Sequence, residues 1–152
     1  MAGTKFTEVF DQFTMLVEDY RLIAMYEASP TDFELFLQGW LIPAIVEFAF
    51  CDQDLSYSLV TCEFVETLTN NNIITLARIM KKYWLQRAID DVTQMQLRIQ
   101  DHDFKNYSEA QNMKEKRERY ILEMEAISQM LVDYSISNSI DWSAWLAGDF
   151  GI

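Results

Sequence analysis

The sequence predicts an all-α fold, a helical bundle with a long antiparallel C-terminal helix hairpin and an extended C-terminal tail. Apolar residues recur at three- and four-residue steps through most of the 152-residue chain, which is the spacing of one helix face. Glycine and proline are scarce, with four and two copies, whereas an all-β chain needs turn residues after almost every strand. Apolar residues make up 50% of the chain, enough for one domain with a real core.

The N-terminal part of the chain predicts two helices that meet at Ser29. An amphipathic helix is expected over residues 5–27, with acidic residues opposite its apolar stripe. Ser29 can cap the second helix, and Pro30 suits its first position. We expect Pro43 to kink or split this helix, because proline removes a backbone donor and crowds the preceding turn. Residues 52–71 fit either a further helix or a short extended piece.

Two long helices are predicted next, packed against each other as an antiparallel hairpin. Asn70–Asn72 should cap the first, which is expected to reach about Asp101. Ser108 and Gln111 match a capping box at the start of the second, which is expected over residues 108–135. The apolar stripe of the first long helix consists of Ile73, Leu76, Ala77, Met80, Trp84, Ala88, Val92, Met95 and Ile99.

The last helix also carries a heptad pattern, which covers nearly four heptads. One core position is occupied by Ala110, Arg117, Met124 and Leu131, and the other by Met113, Tyr120, Ile127 and Tyr134. This pattern suits packing on the preceding helix or a coiled coil between two chains. The short connecting turn favours the hairpin.

Residues 136–152 form the predicted tail beyond a single helical domain of residues 1–135. Its apolar side chains are separated by Ser, Asn, Asp and Gly, although chain ends are usually polar. The tail either folds back on its own core or docks into a neighbouring subunit or partner. For the second case, the predicted docking residues are Ile140, Trp142, Trp145, Leu146, Phe150 and Ile152.

Charges are sorted by sign along the chain, within a net charge of −12. Residues 1–77 carry twelve acids and two bases, residues 78–119 ten bases and seven acids, and residues 120–152 five acids and no base. Such sorting favours head-to-tail contact between copies and complementary contact with partners. We name the predicted subunit interface in the middle segment the basic waist: Arg78, Lys81, Lys82, Arg87, Lys114, Lys116, Arg117 and Arg119.

No arrangement in the sequence is typical of catalysis, metal binding or cofactor binding. His102 is the only histidine, and adjacent Asp101 and Asp103 cannot easily face one ion together with it. No glycine-rich phosphate loop occurs, and no nucleophile has an oriented base. Cys51 and Cys62 are expected to be reduced core thiols from a reducing compartment. We therefore expect a protein that is not an enzyme and that needs no cofactor.

The remaining composition bears on targeting and on general surface binding. The chain start lacks the apolar core of a signal peptide, and no apolar run is long enough to span a membrane. The negative net charge disfavours binding of nucleic acid or anionic lipid through the bulk surface.

The stretches IMKKYWL (residues 79–85) and DFKNYSEAQNMKEK (residues 103–116) resemble small helical head-to-tail connector proteins of tailed bacteriophages, the adaptor subunits of the virion neck. The likeness covers about residues 70–135. It implies a ring of about twelve copies beneath the portal protein, with a tail or stopper protein on the other side. It also implies a C-terminal extension that docks onto the portal, for which residues 135–152 are the matching position.

In such a neck, DNA would pass through the ring without specific binding, since an acidic wall repels phosphates. The protein would be made in the cytoplasm of the bacterial host and located in the virion neck. The alternative interpretation of the same acidic, helical sequence is a regulator or inhibitor that binds a single host or phage protein.

Overall fold

The computed structural model describes residues 3–100, residues 107–140 and Leu146, and it confirms the predicted all-α bundle, with one very small sheet added. The helices within these ranges are α1 Phe6–Leu16, α2 Tyr20–Ala28, α3 Pro30–Glu47, α4 Asn70–Gln100 and α5 Tyr107–Ser139. The strands are β1 Tyr57–Ser58 and β2 Glu63–Phe64.

The prediction of one helix over residues 5–27 is wrong, because the chain breaks between α1 and α2. Val17 has an extended backbone, with φ −128° and ψ 120°, and its side chain is buried. The Asp19 carboxylate accepts a hydrogen bond from the Arg21 backbone N–H at 2.9 Å and caps α2. A short acidic side chain that bonds to nearby backbone favours a cap over a helix interior, which explains the break.

α3 begins as predicted but continues where a split was expected. The Ser29 hydroxyl accepts a hydrogen bond from the Asp32 backbone N–H at 3.3 Å. The predicted split at Pro43 is wrong, since α3 runs on to Glu47. Pro43 has no backbone N–H, so the Gly39 carbonyl lacks its usual hydrogen bond within the helix. Because Gly39 is exposed, water can donate a hydrogen bond to that carbonyl instead.

Residues 52–71 contain a β-hairpin, so the extended alternative for this segment is the correct one. Tyr57 pairs with Phe64, and Ser58 pairs with Glu63, in an antiparallel register. The Phe64 side chain is 1% exposed and joins the main core, which holds this small sheet against the helices.

Thr4 joins the N-terminal end of the chain to this hairpin. Its backbone N–H donates to the Glu66 carbonyl at 3.1 Å, and its carbonyl accepts from the Phe64 N–H at 2.8 Å. Its buried hydroxyl accepts a hydrogen bond from the Leu68 N–H at 2.8 Å. A Cβ on the preceding Gly3 would overlap the Phe64 carbonyl oxygen, so only glycine fits this close approach.

α4 and α5 form the predicted antiparallel hairpin. Trp84 and Tyr120 meet edge to face with ring centroids 5.8 Å apart, and Lys81 Nζ lies 3.0 Å from Glu123 Oε2. Positions ascend along one helix as they descend along the other, which is antiparallel packing. The hairpin also accounts for the heptad pattern, because Tyr120, Ile127 and Leu131 are buried, whereas Arg117 is exposed.

α4 ends at Gln100, close to the predicted Asp101, whereas the cap of α4 and both ends of α5 differ from the predicted ones. The Thr69 hydroxyl, rather than an asparagine side chain, caps α4 by accepting a hydrogen bond from the Asn72 N–H at 3.4 Å. α5 begins at Tyr107 and continues past residue 135 to Ser139. The side chain of Ser108, on which the predicted capping box depends, lies outside the described part.

The main core lies between α1, α3 and the first half of α4. Its largest fully buried side chains are Phe6, Phe13, Phe48, Phe64, Leu37, Leu41, Leu76, Ile79 and Met80. A smaller cluster follows along the hairpin and consists of Leu85, Ala88, Tyr120 and Ile127. Ile79 and Leu85 are buried although they lie off the predicted stripe, because helices cover α4 on more than one side. Met95 lies on that stripe and is 57% exposed.

Both cysteines are free thiols, but only one position agrees with the prediction of core thiols. Cys51 is half-buried beside the main core. Burial raises the pKa of its thiol. Cys62 is exposed, in the turn between β1 and β2, with a φ of 54°. The placement of Cys62 in the core is therefore wrong.

Candidate interaction surfaces

The N-terminal half of the fold has an acidic surface with few internal partners. Among the described residues, Asp19 and Glu47 are the only acids of the first 77 residues with a basic side chain within 4.0 Å. The exposed acids are Glu8, Asp11, Glu18, Glu27, Asp32, Glu34, Asp52, Asp54 and Glu66. A surface of one sign repels copies of itself and attracts basic surfaces. We name this set the acidic surface.

The lysines that α4 contributes to the basic waist are engaged within the chain. Lys81 Nζ lies 3.0 Å from Glu123 on α5, and Lys82 Nζ bonds to Glu47 at the end of α3. Glu47 also bonds to Tyr83, and burial together with this carboxylate raises the pKa of Tyr83 to about 12. These half-buried lysines join three helices and offer little charge to a partner.

The arginines of α4 also have internal contacts. Arg78 Nη1 donates to Met130 Sδ at 2.9 Å, and the Arg87 guanidinium lies 5.7 Å from the centre of the Phe36 ring. Both arginines are nevertheless exposed. Their stems cover apolar groups of neighbouring helices, and their charge remains in contact with solvent.

The remaining bases of the basic waist are exposed and close together on α5. They are Lys114, Lys116, Arg117 and Arg119. Lys114 has a long contact of 4.0 Å with Glu118, while Lys116 and Arg119 each lie 5.7 Å from the Tyr120 ring centre. The structure therefore divides the basic waist into two ion-paired lysines on α4, two exposed arginines on α4 that cover apolar groups, and an available part on α5. We name the available part the basic end of α5.

A polar cluster fixes α2 against α4. The Asp19 carboxylate bonds to the side chain of Arg21 and accepts a hydrogen bond from Trp84 Nε1 at 3.2 Å. Arg21 Nη1 also donates to Asp91 Oδ2 at 3.3 Å. Burial alone would raise the pKa of Asp19, but the hydrogen bonds from Arg21 and Trp84 outweigh it and lower the pKa. Asp91 thus has a structural partner on α2.

A second polar cluster fixes the end of α5. The Tyr134 hydroxyl lies 2.7 Å from Asp52 Oδ1 and 2.8 Å from Asn72 Oδ1, so its single proton is donated to one of them at a time. The Asn72 amide, 1% exposed, donates to Asp52 Oδ1 and Gln53 Oε1, both at 2.8 Å. Burial and the Asp52 carboxylate raise the pKa of Tyr134 to about 12. The cluster connects the loop after α3, the start of α4 and the end of α5.

Next to this cluster, an open apolar groove follows the last turns of α5. Its volume is about 350 Å³. The apolar side chains that line it are Phe50, Leu131, Val132 and Ile136. Ser128 and Ser135 also line it, and the Lys82–Glu47 pair contributes a polar edge. We name this feature the α5 groove. No sequence pattern predicts this groove, because the residues that line it come from separate segments of the chain.

The predicted docking tail begins beside the α5 groove. Ile140 follows the end of α5 and is 37% exposed, and Leu146 is 81% exposed. The other predicted docking residues lie outside the described residues: Trp142, Trp145, Phe150 and Ile152. The docking role of the tail therefore remains a prediction.

The β-hairpin presents an apolar tip that sequence reasoning missed. Val60 is 95% exposed and Leu59 is 52% exposed, in the turn between the strands. A short β-branched stretch at 59–65 was the available signal, but it fits a buried strand as well as an exposed turn.

The described residues include no group of three or more His, Cys, Asp or Glu that could hold a metal ion. His102, Asp101 and Asp103 lie outside the described ranges. Among the helices within those ranges, none has both the length and the apolar character of a membrane span.

Comparison of the chain with protein-family models, with curated proteins and with solved structures found no match in any of the three.

Proposed function

We propose that this protein is a structural subunit that assembles head to tail and forms part of the neck of a tailed bacteriophage virion, between the portal protein and a tail or stopper protein. The observation that carries this proposal is the sorting of exposed charge between the acidic surface, contributed by residues 8–66, and the basic end of α5, contributed by residues 114–119. The two surfaces adjoin where Glu18 and Lys116 line one pocket. Two different surfaces of opposite sign on one chain suit contact between successive copies.

The type of contact determines the type of assembly. When the acidic surface of one copy meets the basic end of α5 on the next, the contact is heterologous, and a ring forms if the rotation between copies closes. The resemblance to phage connector proteins supports a ring of this kind, and the described residues of the resembling stretch, 70–100 and 107–135, fall on α4 and α5. An acidic wall around a channel would let DNA pass without adhering to it.

Imaging of the native assembly tests the location and the copy number. We expect the protein in the virion neck as a closed ring of about twelve copies. A stable one-to-one complex with a single host or phage protein, and no ring, would support the regulator interpretation instead.

A charge-reversal variant tests the contact that the proposal invokes. Lys116→Glu combined with Arg117→Glu reverses two exposed bases at the basic end of α5, and we expect it to abolish ring formation while the helical circular dichroism is unchanged. Lys5→Glu reverses an exposed base within the acidic N-terminal segment and is the matched control, with rings retained. Unchanged rings in the double variant would contradict the proposed contact.

A further inference from the structure

We propose that the α5 groove binds the C-terminal segment, residues 141–152, of a neighbouring copy of this chain. The inference rests on the proposed assembly of copies and names a specific contact within it. The receptor site and the segment belong to different parts of the same chain, so every copy offers one of each.

The groove has the character of a binding site for an apolar segment. It is about 350 Å³ in volume, and the Val132 and Ile136 side chains within it are 50% and 47% exposed. These residues are four apart on α5, and Ile140 continues the same row. An exposed apolar row beside an apolar cavity is typical of an interaction site.

The C-terminal segment has the matching composition. It contains Trp142, Trp145 and Phe150, residue types that dominate the energetics of protein interfaces. Fully extended, its twelve residues could span about 40 Å, more than the length of the groove along α5. The segment can therefore place several aromatic side chains along the row that begins at Val132.

Exposure favours a neighbouring copy over the same chain. Val132 and Ile140 lie about 12 Å apart along α5, at 1.5 Å per residue. Leu146 follows Ile140 by six residues, which can extend by about 20 Å, so it is long enough to reach the groove of its own chain. Leu146 is 81% exposed, so its own fold leaves this apolar side chain uncovered.

Donation of the C-terminal segment in one direction, from each copy to the next, would make each contact heterologous. Each copy donates its segment to one neighbour and receives a segment from the other. Contacts of this type propagate around a ring rather than stop at a dimer. This donation thereby adds apolar burial to the charge complementarity of the proposed assembly.

Complementation between two full-length variants tests the inference. The groove variant combines Val132→Glu with Ile136→Glu, and the tail variant combines Trp142→Ala with Trp145→Ala. Each variant alone lacks one half of the contact and should sediment as a monomer. An equimolar mixture retains one intact groove and one intact tail per pair, so we expect a one-to-one heterodimer.

The control is Leu122→Glu, a change at a 65% exposed apolar residue of α5 outside the groove, which should assemble like the wild-type chain. Circular dichroism checks that all variants keep the helical fold. If the groove variant and the tail variant each assemble like the wild-type chain, the inference is overturned and the proposed ring stands. A mixture that stays monomeric would overturn it as well. The inference would also be overturned if the wild-type chain were a monomer in which a quencher could not reach the C-terminal tryptophans. In that case the segment would occupy the groove of its own chain.

A failure of the proposed function would differ from all of these outcomes. It would appear as absence of the protein from the virion neck in images of the native assembly, whatever the groove binds.

Discussion

The inner half of the α4–α5 hairpin and its outer half use the same two helices but are held together differently. In the inner half, α1 and α3 cover α4, and Leu76, Ala77, Ile79 and Met80 are fully buried. In the outer half, beyond Ala88 and Tyr120, Met95 and Leu97 are 57% and 61% exposed. A continuous apolar pattern along a helix therefore does not predict its local stability, because that stability depends on which other helices cover it.

This difference also separates two roles of the basic residues. Lys81 and Lys82 lie in the covered half and join helices, whereas Lys116 and Arg117 lie in the exposed half and remain available. The covered half provides the rigid scaffold, and the exposed half provides the charge on which the proposed contact depends.

The largest expected effect comes from an apolar truncation in the covered half. Phe13 is fully buried on α1, and its ring meets Trp40 edge-on with centroids 5.7 Å apart. Phe13→Ala should lower the free energy of unfolding by about 3–5 kcal/mol, since it removes buried area and leaves a cavity. Met95→Ala, in the outer half, should change it by no more than about 0.5 kcal/mol. Urea denaturation measures both, and equal losses would refute the comparison.

An intermediate effect is expected from the polar cluster at the end of α5. Tyr134→Phe keeps the ring but removes the hydroxyl that bonds to Asp52 and Asn72. We expect a loss of about 1–3 kcal/mol, because Asp52 and the buried Asn72 lose the hydroxyl donor that they share. Tyr20→Phe, at a 90% exposed tyrosine, is the control and should be neutral.

The same substitution has a signature at alkaline pH. The pKa of Tyr134 rises from 10.0 to about 12 in the folded chain, so its stabilising contribution is complete below pH 10.0 and is lost as the pH rises through about 12. The pKa of Tyr83 is also raised to about 12. Urea denaturation across this window should show stability falling, and Tyr134→Phe should remove part of the fall. The same pH dependence in wild type and variant would contradict the assigned contacts.

The smallest expected effects compare the ion pairs of the two halves. The Lys81–Glu123 pair is half-buried at 3.0 Å, and the Lys114–Glu118 pair is exposed at 4.0 Å. Double-mutant cycles with alanine should give a coupling of about 0.5–1 kcal/mol for the first pair and under about 0.3 kcal/mol for the second. A stronger coupling in the exposed pair would show that the outer half is better ordered than its burial indicates.

Local signals made part of this fold predictable from the sequence. Ser29 and Pro30 mark the start of α3 because a cap depends on adjacent residues. The heptad positions of α5 suit either a hairpin or a coiled coil between chains, and the short connection to α4 is what favours the hairpin. The break at Asp19 was missed, since apolar spacing continues across it and the decisive hydrogen bond involves only the backbone of Arg21.

The surfaces were harder to predict than the elements. Charge sorting is visible in the sequence, but the engagement of Lys81 and Lys82 depends on partners on other helices. The Tyr134 cluster joins residues separated by 62 and 82 positions, and no pattern in the sequence links them. The α5 groove is likewise formed only when the end of α3 and the loop after it pack beside α5.

The attachment of Thr4 to the β-hairpin has a consequence for the order of folding during synthesis. Thr4 accepts its hydrogen bond from Leu68, 64 residues further along the chain. Closing so long a loop is entropically costly and gains nothing until both ends are present. Thr4 must therefore wait for the β-hairpin to emerge from the ribosome before it can form these bonds, and α1–α3 are synthesised entirely within that interval.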